Sequence, residues 1–103
     1  MAENGKSETF TPRHLDLVEA SKKGDQKAQF ELYRLYHVAM YNTSLRIVGD
    51  SDDAEDVMQE AFLKAFAKLD SYREEVSFGA WLKRIVINKA LDFLRLKKDQ
   101  LSL

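Results

Sequence analysis

The chain has 103 residues, 45% hydrophobic and 32% charged, enough for one modest core and too short for two domains. Sixteen Lys and Arg against seventeen Asp and Glu leave a formal charge of -1, so any attraction to nucleic acid must come from a local patch. The absence of cysteine excludes disulfides, thiolate zinc sites and thiol catalysis, and no apolar run reaches membrane-spanning length, so a cytoplasmic address is expected.

Residues 1–11 are polar, aperiodic and without an apolar export leader, and read as a flexible tail. Thr11-Pro12 is a helix-start signal and Lys22-Lys23-Gly24 a stop signal, which together predict a first helix over about residues 12–22. Asp25 can cap a second helix in which Leu32, Leu35, Tyr36, Ala39, Met40, Thr43 and Ile47 recur at helical spacing up to Gly49.

A third helix starts at Asp52, which forms a capping-box-like pair with Glu55, and ends near Leu69 or Asp70. Its buried face is Ala54, Val57, Met58, Ala61, Phe62, Ala65 and Leu69. The period breaks over Asp70–Val76, and Ser77 can cap a fourth helix reaching about Lys98, with residues 99–103 beyond it. No strand pattern appears, so the expected fold is all-α, a four-helix domain over residues 12–98.

Charge is divided between two of these helices. Asp50, Asp52, Asp53, Glu55, Asp56 and Glu60 form a run free of cations, whereas Lys83, Arg84, Lys89, Arg95, Lys97 and Lys98 are opposed in their segment only by Asp92.

On the fourth helix, Phe78, Leu82, Ile85, Val86 and Phe93 share one arc, and Ile87, Ala90, Leu91 and Leu94 widen the apolar coverage until most of the helix is expected to be buried. The remaining stripe holds Trp81, Arg84, Asn88, Asp92 and Arg95, flanked by Lys83 and Lys89. Cations for phosphates, an amide for base edges and an aromatic plane for stacking are what a nucleic-acid surface needs. The competing reading is a solvated face with Asp92 paired to Arg95 or Asn88 and Trp81 in the core.

The non-core side of the third helix carries Asp52, Asp56, Gln59 and Glu60, with Leu63 a turn further. An apolar anchor ringed by charge has the anatomy of a protein interface, although acids at a helix N-terminus also complement the helix dipole. His14 and His37 stand on different helices, no metal-ligand spacing occurs and no glycine-rich phosphate loop is present, so neither catalytic residues, a metal nor a cofactor is expected.

The ordered set A-E-D-x-x-Q-E-x-F from Ala54, F-x-x-W-L from Phe78 and R-x-x-x-N-x-x-x-D-x-x-R from Arg84 resembles region 2 of bacterial RNA polymerase sigma factors of the extracytoplasmic-function (ECF) group. The likeness starts at Gly24-Asp25 and covers about three quarters of the chain; Trp81 as sole tryptophan favours the ECF group over housekeeping sigma factors. The resemblance implies that the third helix docks on the clamp coiled coil of the polymerase β′ subunit through Asp52, Asp56, Gln59, Glu60 and Leu63. It further implies that the loop Asp70–Val76, notably Tyr72 and Arg73, captures an extruded non-template base of the promoter −10 element. The fourth helix would then read neighbouring bases and backbone through Trp81, Lys83, Arg84, Asn88, Lys89 and Arg95.

An anti-sigma factor is the further partner implied, with no membrane and no small-molecule substrate. Residues 99–103 would begin a linker to a region 4 that this chain lacks. The alternative is a sigma-like decoy, which would hold an anti-sigma factor without touching DNA.

Overall fold

A computed structural model describes residues 11–102; residues 1–10 of the expected tail, Leu103 and the side chains of residues 11–13 and 102 lie outside that description. The helices are α1 (Thr11–Lys22), α2 (Gln26–Val48), α3 (Ser51–Ala67) and α4 (Phe78–Ser102), with a single 3₁₀ turn at Leu69–Ser71. The described residues contain no strand, as expected of an all-α chain.

Local chemistry fixes most boundaries. Asp25 caps α2, its carboxylate accepting from the Lys27 and Ala28 amides, an arrangement that contributes about 1 kcal/mol. Gly49 ends α2 in the left-handed region at φ 81°, where an L side chain would be strained. Ser77 caps α4, its hydroxyl accepting from the Ala80 amide.

Several boundaries differ from expectation: Thr11 is already helical, and α3 ends at Ala67, giving way to the 3₁₀ turn at Leu69–Ser71 where the helix was expected to reach Leu69 or Asp70. The cap of α3 is Asp50, whose carboxylate accepts from the Asp53 amide, and Asp52 is already helical, so the capping box at Asp52 is not formed. An aspartate with extended backbone directly after Gly49 supplies the acceptor two residues earlier. The fourth helix also continues past Lys98 to Ser102, because no proline, glycine or cap residue interrupts residues 97–101.

The core lies where the four helices meet, with Val18, Leu32, Met58, Leu82 and Val86 as its largest fully buried apolar side chains. Ala54, Ala61, Ala65 and Ala90, all fully buried, let α3 and α4 approach their neighbours closely. Tyr33 meets Phe62 at 4.9 Å, and Tyr41 shares a cleft with Glu55 and Met58, so α2 and α3 run antiparallel. Gly79 sits against Tyr36, where a Cβ would fall 3.0 Å from a ring carbon.

Burial on α4 is narrower than its composition suggests. α3 lies beside α4 as far as Lys97, which pairs with Asp53, yet past Ala90 the helix stays open to solvent on its other sides, leaving Leu91 45%, Leu96 64% and Leu101 79% exposed.

Candidate nucleic-acid interface

The segment between α3 and α4 folds back on a buried tyrosine. Tyr72 is 3% exposed, its hydroxyl donates to the Val76 carbonyl at 2.7 Å, and its ring meets Phe78 at 5.7 Å and Trp81 at 5.2 Å. Burial, with the nearby Glu74 charge, raises the Tyr72 pKa and keeps the hydroxyl a donor. Glu74 holds φ at 63°, an uncommon conformation for a non-glycine residue that tends to accompany functional loops.

Outside this loop lies a cleft of about 280 Å³ lined by Arg73, Glu75, Val76, Trp81 and Arg84 over a floor of Tyr72. Trp81 is half-buried: it rests on Tyr72 and Phe78 while lining the cleft. Trp81 thus belongs in part to the aromatic packing and in part to the cleft surface. Tyr72 is a wall of the cleft; its ring is not offered as an open stacking surface.

Lys83, Arg84 and Asn88 follow along α4, all exposed, and among the described residues their side chains and that of Arg73 enter no hydrogen bond or ion pair. They are available for phosphates and base edges. Arg95 instead pairs with Asp92 at 3.0 Å, and Lys89 reaches across to Glu60 on α3 at 3.3 Å. The structure thus gathers Arg73, Trp81, Arg84 and Asn88 on one side and ties Lys89 to the other.

The outer face of α3 is laid out as its spacing suggests. At about 100° per residue, Asp52, Asp56, Gln59 and Leu63 fall within roughly 60° of arc. All four are exposed, Leu63 at 71%. The Gln59 amide donates to Glu55 at 2.9 Å, which holds it flat along the helix. Glu60 stands at the edge next to α4, bonded to Lys89, and Asp53 beyond it pairs with Lys97 at 3.5 Å.

Sequence reasoning missed a second cleft on the inner side of the same loop. About 410 Å³ in size, it is lined by Leu15, Tyr36, Glu74, Glu75, Val76 and Phe78, and the Tyr36 hydroxyl lies 2.6 Å from His14 Nδ1. Burial raises the Tyr36 pKa, its largest cause. It also missed Lys22, whose ammonium donates to the Tyr72 carbonyl at 3.2 Å across fifty residues. Its place after a helical repeat signalled only a helix end. Among the described residues no group of three His, Cys, Asp or Glu side chains could hold a metal ion, and no helix is long and apolar enough to cross a membrane.

Residues 32–100 match the family model for sigma-70 region 2. The ECF RNA polymerase sigma-E factor of Escherichia coli K12 is 45% identical over 78 residues, 76% of this chain and 40% of that protein. The ECF RNA polymerase sigma factor SigW of Bacillus subtilis is 37% identical over 81 residues, 79% of this chain and 43% of the relative. The chain thus spans about two fifths of the length of these curated relatives. A solved structure of an engineered region 2 of sigmaE in complex with GTAAAA superposes with a TM-score of 0.81 at 40% identity, covering 87% of this chain and 94% of the other.

Proposed function

The chain belongs to the sigma-70 region 2 family, in its ECF group, and from that premise we propose that it docks on the β′ clamp coiled coil through α3 and captures promoter −10 DNA with its loop and α4. The observation that carries the DNA half is the convergence of Arg73, Trp81 and Arg84 on one cleft beside a strained loop. A 40% identical neighbour solved with GTAAAA supports a single strand of that kind as the ligand.

The chemistry follows from the charges and planes available. Arg73, Lys83 and Arg84 neutralise phosphates, with a salt dependence that counts the contacts. Asn88 hydrogen-bonds a base edge, and Trp81 stacks an unpaired base for about 1–3 kcal/mol. Extruding a base from the duplex costs a few kcal/mol, which the cleft offsets by holding it. Melting is then driven by binding, and this chain breaks no covalent bond. On α3, Leu63 is the apolar anchor and Asp52, Asp56, Gln59 and Glu60 the polar rim that steers a cationic partner.

Calorimetry of the domain with the purified clamp coiled coil, followed by titration with single-stranded GTAAAA, tests both halves. Saturable binding of each is expected. A folded domain that ignored both would move the assignment to the decoy reading, with an anti-sigma factor as partner.

A further inference from the structure

Lys22 is the last residue of α1, on the far side of the capture loop from α4. Its side chain is only 21% exposed, and its ammonium has three neighbours: the Tyr72 carbonyl at 3.2 Å, the Tyr72 ring at 5.9 Å to the centroid and the Glu19 carboxylate at 3.9 Å. A charge-assisted hydrogen bond to a carbonyl in a partly buried site is among the stronger bonds available to a loop, and the cation over the ring face adds to it. Tyr72 in turn fastens the loop at both ends: its amide donates to Leu69 at 3.0 Å and its hydroxyl to Val76, while its ring supports Trp81. The 3₁₀ turn before Tyr72 also packs on α1.

We propose that Lys22 is a positioning residue for −10 strand capture: a strut from α1 that fixes Tyr72, and through it the loop and the Trp81 plane, before DNA arrives. The inference rests on the reading of the loop as the capture site. A loop held in its bound form needs less ordering on binding, so the strut acts on affinity without touching the ligand. This separates Lys22 from Lys83 and Arg84, whose ammonium and guanidinium groups stand open to phosphate.

The test uses Lys22→Met, which keeps the aliphatic stem, and Lys22→Arg, which restores a donor. Trp81 is the only tryptophan, so its accessibility to acrylamide reports the loop in the free domain. The expected result is a roughly twofold rise in quenching for Lys22→Met with an unchanged helical circular dichroism spectrum, and recovery in Lys22→Arg. Affinity for single-stranded GTAAAA should fall about fivefold in Lys22→Met at an unchanged salt slope, and clamp binding should stay as in wild type.

Unchanged quenching would overturn the proposal even if the wild-type domain bound no DNA, an outcome that would sink only the capture-loop reading. A salt slope lowered by about one would also overturn it, because Lys22 would then be a direct phosphate contact.

Discussion

The two surfaces proposed to work in this domain are built in different ways. The outer face of α3 is one helix with its side chains exposed, Gln59 donating to Glu55 within the helix and Glu60 at its edge pairing with Lys89 of α4. The proposed DNA surface is assembled from α1, a strained loop and α4, and its central tryptophan is braced by two further aromatic rings. A surface on one helix needs only that helix to exist. A surface made of three elements depends on their relative placement, and therefore on the core between them.

The largest effect should come from Leu82→Ala, which empties a fully buried site on α4 and costs about 2–5 kcal/mol. In a domain this small, both surfaces should fail together, which calorimetric unfolding and the two binding assays would record. Retention of DNA capture in an unfolded variant would break the comparison.

Next comes Gln59→Ala with Leu63→Ala, which removes the anchor and its rim partner and should weaken clamp binding ten- to a hundredfold, roughly 1.4–2.7 kcal/mol, with GTAAAA binding unchanged. Loss of both activities would mean that the α3 face is not separate. Arg84→Ala with Asn88→Ala should lower DNA affinity about tenfold and the salt slope by about one, leaving the clamp and the melting temperature alone. These are exposed positions, so an altered melting temperature would count against the reading.

The smallest effect is on alkaline stability. Tyr36 and Tyr72 both have raised pKa values, largely through burial. Above about pH 10 the unfolded chain releases protons that the native one keeps, so the stability these hydroxyls contribute is intact below that pH and lost as pH climbs through the native values. Tyrosinate absorbance should therefore rise late, together with loss of the loop and of Trp81 shielding.

What could be read from the sequence follows the same division. Periodicity placed Asp52, Asp56, Gln59 and Leu63 on one exposed side of α3, because adjacency on one helix is a matter of spacing. It also found Trp81, Arg84 and Asn88 as neighbours for that reason. Lys22 and Tyr72 meet across fifty residues, and no local pattern encodes that contact. Composition alone misjudged the leucines past Ala90: an apolar residue is buried only on the side of α4 that faces a neighbour, which Leu91 and Leu96 do not share, while Leu101 lies past the start of α3 at Ser51, near Lys97. The cap at Asp50 was missed because three aspartates within four residues offered equal signals, and only the backbone angles chose among them.

The contact between Gly79 and Tyr36 makes α4 a lever with its fulcrum at its first turn. At 1.5 Å per residue the 25-residue helix is about 37 Å long. A methyl at Gly79 requires the Tyr36 ring or the helix to give by a few tenths of an ångström, and each degree of tilt the helix takes up grows along it, moving Arg95 about twice as far as Asn88 while Trp81 scarcely shifts. A missing side chain at one end of the rod thus sets the aim of the charges along its length, and Gly79→Ala should degrade base discrimination at Asn88 before it disturbs stacking at Trp81.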